Sequence, residues 1–346
     1  MRSIVFYFLL FSLFSRVSFA KDSETVNMLF IGNSFTFRHD LPQLVKTVVE
    51  EGTGMNVYAE YQTFGGRSMF QHYRHHLAHT FIEQTNLTDA DIDNRIDTLN
   101  KRKALTKAHP EYDEWMSFYT DVRGQTSKGV SDWENKRVNN INKSIKRHEA
   151  LKGSARRRWD YVVLQSWQDE VLAADKTNIE GNMAGGYAKY AREMARIAKE
   201  QGAKVILYVT APDQQNATPV DGPLEATNTN NEEKTIVKLA KELDVYGVVF
   251  VPRAINMIQE GGTDLTFRYV NDFHPNQRSA YLVSNMFYAA LFGESPLGFN
   301  YNTVTETRPG TTDPDGGPLT VVFEGEEKNQ LQQAAFNAVM KFMQLW

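Results

Sequence analysis

Apolar and β-branched residues gather in five short runs along the chain: Val26 to Ile31, Asn56 to Thr63, Tyr161 to Gln165, Lys204 to Thr210 and Val248 to Pro252. Their length and content read as buried parallel strands. Helical periodicity fills the spaces between them. It marks Pro42 to Glu51 with proline in the first turn, Met183 to Gln201 stopping at Gly202, Glu232 to Leu243, and Asn276 to Phe292 stopping at Gly293. Strands that alternate with helices require right-handed crossovers, so the pattern predicts an α/β chain folded as a three-layer, doubly wound (flavodoxin-like) sandwich around about five parallel strands.

One connection breaks the rhythm. Residues 86 to 158 separate the second and third runs by far more than a crossover helix needs. The segment reads as a largely helical insertion, rich in charge (Lys101-Arg102-Lys103, Arg156-Arg157-Arg158) and carrying Trp115 and Trp133. It suits a lid over a site or a solvated decoration equally well. Beyond Ser295 a Pro/Gly-rich loop leads to a last amphipathic helix, Glu326 to Met343.

The first twenty residues have the build of an export signal: Arg2, an apolar stretch from Ile4 to Phe14, and Ser18-Phe19-Ala20 as a cleavage site. The apolar stretch is too short to span a bilayer, which favours a secreted or periplasmic protein, residues 21 to 346, without a stable membrane anchor. A net charge of −4 with no basic tail argues against a nucleic-acid partner. The absence of cysteine excludes thiol nucleophiles and thiolate metal sites.

In a doubly wound sheet, ligands bind beyond the carboxyl ends of the strands. Ser34, in "LFIGNSFTF", stands at such an end. A hydroxyl becomes a nucleophile only when a base takes its proton and a carboxylate orients that base. "VNDFHPNQ" supplies both: Asp272 and His274 share one side of an extended turn. Acyl transfer also needs donors for an oxyanion. The Ser34 amide, the Gly65-Gly66 turn of "TFGGRSM", and Gln165 or Gln168 of "LQSWQDE" arrive at the ends of successive strands. A competing constellation, His72, His75, His76 and His79 in "HYRHHLAH", would line one helical face and suit a transition metal, or else form polar surface.

The order Gly32-Asn33-Ser34, Gly66, an amide after the third strand, and a late Asp-His pair resembles the SGNH (GDSL-type) hydrolase superfamily. Within it, "LFIGNSFT", "GGRSM", "WDYVVLQS", "DFHPN" and "LFGESPLGF" resemble a branch known only as a domain of unknown function. The resemblance covers nearly all of the chain after residue 20 except the insertion. It implies Ser34 as nucleophile, His274 as base, Asp272 as its partner, and the Ser34 amide, Gly66 and Gln168 or Gln165 as the oxyanion hole. It departs from the family at two places. Ser166-Trp167-Gln168-Asp169 replaces Gly-x-Asn-Asp, and Asp272 stands two residues before His274 instead of three.

The expectation is therefore a cofactor-free serine esterase acting on short acyl, chiefly acetyl, esters of a carbohydrate. Asn33, Phe64, Arg67 and Trp167 are its candidate substrate contacts. The alternatives are a non-catalytic glycan-binding protein on the same fold and a metal-dependent hydrolase built on the histidine stripe.

Overall fold

The computed structural model describes residues 25–106, 108–109, 130–166, 183–210, 226–263, 265–272 and 274–345; of residues 130–133, 183–186 and 226–228 it describes the backbone alone. The proposed leader, Trp115, Trp167 and Gln168 lie outside the described residues.

Five parallel strands form the central sheet: β1 (Thr25–Gly32), β2 (Asn56–Thr63), β3 (Tyr161–Gln165), β4 (Lys204–Val209) and β5 (Gly247–Phe250), in the order β2-β1-β3-β4-β5. This is the flavodoxin-like, doubly wound arrangement. Met28 to Ile31 are fully buried because helices cover both faces of the sheet, which is why these strands read as continuous apolar runs. Met28 and Phe30 face one layer. It contains α2 (Leu41–Thr53), α9 (Val251–Glu260), α10 (Gln277–Phe292) and α11 (Gly325–Gln344). Leu29 and Ile31 face the other, with α7 (Met183–Glu200) and α8 (Ala226–Leu243).

Local chemistry sets the element ends. Gly54 closes α2 and Gly293 closes α10 in left-handed conformations at φ 69° and 66°. The fifth strand stops earlier than its apolar run suggests, since Val251 and Pro252 already belong to α9, with proline in the first turn. The remaining helices around the second connection are α1 (Ser34–Phe37), α3 (Met69–Arg74), α4 (His79–Ile82), α5 (Asp89–Lys103) and α6 (Val130–Leu151). The insertion is helical where it is described: α5 packs on α6.

The late Pro/Gly-rich stretch contains a small antiparallel pair, β6 (Thr303–Thr305) with β7 (Thr320–Val322). Strands of three residues are too short to give a periodic signal. Because β1 is flanked by β2 on one side and β3 on the other, successive connections leave it in opposite directions. The crevice that results opens beyond Gly32, where Ser34 begins α1.

Candidate active site

The turn after β1 is braced from β3. Gln165 Oε1 accepts hydrogen bonds from Asn33 N at 2.7 Å and from Thr36 Oγ1 at 2.9 Å, while its Nε2 donates to Ser166 O at 2.6 Å. Gln165 is thus a scaffold for the turn, and its amide does not stand open as an oxyanion donor. The same closeness explains Gly32: a Cβ there would collide with Thr36 Oγ1 and Gln165 Oε1.

Asn33 caps α1. Its Oδ1 accepts from Phe35 N at 3.1 Å, and its Nδ2 donates to Arg67 O at 3.3 Å. Fully buried and engaged at both ends of its amide, Asn33 joins two loops and does not present a substrate contact. Ser34 then takes the first helical position, 4% exposed, with neither its N–H nor its Oγ bonded to any described residue. A first-turn N–H has no intrahelical acceptor, so this donor is available to a ligand.

A second such donor lies at the end of β2. Gly66 turns the chain at φ 67°, and its N–H finds no acceptor among the described residues. The loop is held against β1 by Phe64 N donating to Gly32 O at 3.2 Å, and against β3 by Met69 N donating to Ser166 Oγ at 3.1 Å. Ser68 caps α3 with Gln71 in a reciprocal capping box. Phe64 itself is buried, stacked on His76 at 3.8 Å between ring centroids, with the Arg147 guanidinium 4.6 Å from its ring. That ring is occupied by protein and is not a platform for a sugar.

The Asp272–His274 loop reaches the same place from the far end of the chain. His274 Nδ1 is hydrogen-bonded to Asp272 Oδ1, and the His274 N–H donates to the same oxygen at 3.2 Å. The two-residue spacing therefore suffices for the contact. Asp272 Oδ2 accepts from Arg38 Nη1 at 3.2 Å and from Arg308 Nη1 at 2.6 Å, and Arg38 Nη2 also pairs with Glu306 at 2.6 Å. Asp315 accepts from Val270 N at 2.8 Å and Asn271 N at 2.7 Å, clamping the loop from behind.

Contacts tie this loop to the Ser34 turn. The Phe35 and His274 rings are 5.8 Å apart, His39 Nε2 lies 2.8 Å from Pro275 O, and the Arg268 guanidinium sits 4.9 Å over Phe35. His39 and Asp40 adopt left-handed backbone at φ 57° and 52°, a costly conformation for non-glycine residues that swings the chain from α1 into α2. Ser34 and His274 are neighbours through Phe35, without a hydrogen bond between them. Catalytic hydrogen bonds are often loose before substrate arrives.

Electrostatics suit a base that is neutral at neutral pH. Burial lowers the His274 pKa below its ordinary 6.5, and Arg38 and Arg308 add to that, against an opposing pull from Asp272. Burial pushes the Asp272 carboxyl upward, but its bonds to His274 and Arg38 outweigh this and hold it below the ordinary range.

The histidine stripe does not form. Helix α3 ends at Arg74, Leu77 turns left-handed at φ 50°, and α4 starts afresh at His79, so the four imidazoles do not share a helical face. Nor are they polar surface: His72, His75, His76 and His79 are all buried, against aromatic rings of Phe64, Phe70 and Tyr73. Burial lowers their pKa values, to about 3 for His72 and about 3 for His79. Among the described residues no three metal-ligating side chains converge.

The fold thus gathers Asn33, Ser34, Phe64, Gly66, Arg67, Gln165, Asp272 and His274 at one end of the sheet. Sequence reasoning missed Arg38, Glu306, Arg308 and Asp315. Three of these lie in the irregular segment after α10, where no periodicity marks a role.

No family model matches the chain, and no curated protein matches it. A DUF4886 family protein from Bacteroides uniformis, known as a crystal structure, is similar over 92% of this chain and 95% of its own, with 14% identity and a TM-score of 0.46.

Proposed function

We propose that this protein is a serine esterase of the SGNH (GDSL-type) kind, exported from the cell, that removes short acyl groups, acetyl foremost, from a carbohydrate. The observation that carries the reading is an Asp272-bound imidazole whose ring lies 5.8 Å from that of Phe35, the residue after Ser34, while the Ser34 hydroxyl and the Ser34 and Gly66 N–H groups have no partner among the described residues. The resemblance of the sequence blocks and the leader-like first twenty residues support the superfamily, the substrate class and export.

In this reading Ser34 Oγ attacks the ester carbonyl while His274 Nε2 takes its proton. Asp272 holds the Nδ1–H and stabilises the imidazolium as it forms. The Ser34 and Gly66 N–H groups donate hydrogen bonds to the carbonyl oxygen as negative charge develops on it. The proton then passes to the departing sugar oxygen, leaving an acyl-serine. Water, deprotonated by His274, releases the acid and restores the hydroxyl.

The test is hydrolysis of p-nitrophenyl acetate and of acetylated polysaccharides by the native protein, Ser34→Ala and His274→Ala. Loss of turnover in both variants, with their unfolding midpoints retained, is the expected result. Turnover that survives Ser34→Ala overturns the reading. A native protein that binds glycan without hydrolysing any ester replaces it with a binding function.

A further inference from the structure

The chain leaves α1 through Arg38, His39 and Asp40, and the backbone N–H of Arg38 donates to the carbonyl of Ser34 itself. His39 and Asp40 then follow in left-handed backbone, the one pair of consecutive non-glycine residues with positive φ among the described residues. Such a conformation persists only where the surroundings over-determine it, and strain of this kind gathers at functional sites.

The side chain of His39 shows what holds it. His39 is 2% exposed, and its Nε2 lies 2.8 Å from Pro275 O. A carbonyl oxygen only accepts, so the ring carries a proton on Nε2 and donates it. Burial lowers the His39 pKa, against opposing pulls from Pro275 O and Glu306. Proline has no N–H, so the carbonyl is the whole of what the Pro275 backbone can offer, and His39 takes it.

The backbone around His274 is therefore held at three points. Its N–H donates to Asp272 Oδ1, its carbonyl accepts from Tyr269 N at 3.1 Å, and the next carbonyl accepts from His39. The first two partners belong to the base loop's own segment. His39 is the partner that comes from the serine side. Its neighbour Arg38 takes the Asp272 carboxylate, so two successive side chains of one bent strap grip the orienting acid and the backbone beneath the base. The imidazole so placed has its ring 5.8 Å from that of Phe35.

Resting on the esterase reading above, we propose that His39 is a positioning residue of the reaction: through Pro275 O it sets where the His274 imidazole stands against the Ser34 turn, and the left-handed bend at His39 and Asp40 brings it there. No proton of the reaction passes through His39. A base displaced by about an ångström loses rate while ground-state binding is kept, so the effect belongs in kcat.

The experiment compares p-nitrophenyl acetate hydrolysis by the native protein, His39→Leu and His39→Gln, with unfolding midpoints measured alongside. Leucine fills the space without a donor, whereas glutamine returns an N–H donor near the place of Nε2. His39→Leu should lower kcat by about 10- to 100-fold with KM moved by less than about twofold, and His39→Gln should restore most of it. A kcat unchanged in His39→Leu, or lost equally in both variants, overturns the positioning role.

Proton NMR separates this proposal from the esterase reading. The His274 Nδ1 proton shared with Asp272 gives a far-downfield resonance, which should shift or broaden in His39→Leu and stay in place in His39→Gln, whether or not the native protein turns over. A resonance unmoved in His39→Leu overturns the proposal and leaves the esterase intact. A native protein inert on every ester overturns the esterase alone, and the resonance still decides whether His39 places His274. Nitrogen-15 shifts of the His39 ring in the native protein settle the matter even if His39→Leu does not fold: protonation on Nε2 is expected, and a neutral ring protonated on Nδ1 cannot donate to Pro275 O and overturns the proposal.

Discussion

Arg38 Nη1 lies 3.2 Å from Asp272 Oδ2, so the turn that presents Ser34 is ion-paired to the carboxylate that orients His274. The Ser34 turn and the His274 loop are therefore registered by one guanidinium, which is 3% exposed. Its other arm holds Glu306, 1% exposed.

Removing that guanidinium leaves two largely buried carboxylates short of a partner. Arg38→Met should destabilise the protein by about 3–5 kcal/mol at neutral pH, read from urea unfolding. Burial raises the Glu306 pKa, but the bond from Arg38, the Arg308 N–H and the nearby His39 together outweigh it, and the folded value lies below the ordinary one. A lowered carboxylate pKa contributes stability that is present above the unfolded value and lost as pH falls through the folded one. The gap between native and variant should therefore narrow below about pH 4.5. A gap independent of pH would remove Glu306 from the account.

The base should titrate low. His274 acts when neutral, and its pKa is lowered by burial and by the two arginines. Esterase kcat/KM should rise with pH to a plateau, with a midpoint below about 6.5. Arg308→Gln takes away one positive neighbour and should move that midpoint upward. A midpoint that stays put in Arg308→Gln would show that Arg308 has no part in setting the basicity of His274.

Acid should unfold the protein through the buried imidazoles. The folded pKa values of His72 and His79 are lowered by burial to about 3, and that of His148 to about 4. A histidine with a lowered folded pKa contributes stability that is present above its unfolded value and lost as pH falls toward the folded value. Each of the three should cost about 1.4 kcal/mol per pH unit between roughly pH 6 and 4. His72→Gln should flatten the dependence measured by denaturant unfolding at stepped pH. An unchanged slope would mean that His72 titrates alike in the folded and unfolded states.

The Gly32 position tolerates no side chain. Gly32→Ala would drive a methyl group into Gln165 and Thr36, the two groups that shape the Ser34 turn. A loss of about 1–3 kcal/mol is expected from overpacking, together with loss of turnover while the far-UV spectrum is kept. Native activity in Gly32→Ala would show that the turn can relax without consequence.

The sheet was legible because parallel strands covered on both faces must be apolar throughout, as Met28 to Ile31 are. Ser34, Gly66, Asp272 and His274 were legible because each sits where a strand end or helix start forces a turn. Gln165 was noticed for the wrong property: its carbonyl, not its amide, matters, and only the contact with Asn33 reveals that. The histidines misled because a spacing of three and four residues suggests one helical face, while Leu77 breaks the helix between them. Arg38 and Arg308 carry no local pattern, since their partners lie far away in the chain.

Chain order gives the clamp around Asp272 a further meaning. Strand β1 and the serine turn come first, the base follows, and Glu306, Arg308 and Asp315, which hold the base loop, come after it. Synthesis runs from the amino end, and domains fold as their parts appear. A nascent chain that has released only its sheet holds the Ser34 turn without a fixed His274 loop. On the esterase reading proposed above, turnover would have to wait for the segment after α10 that fixes the His274 loop.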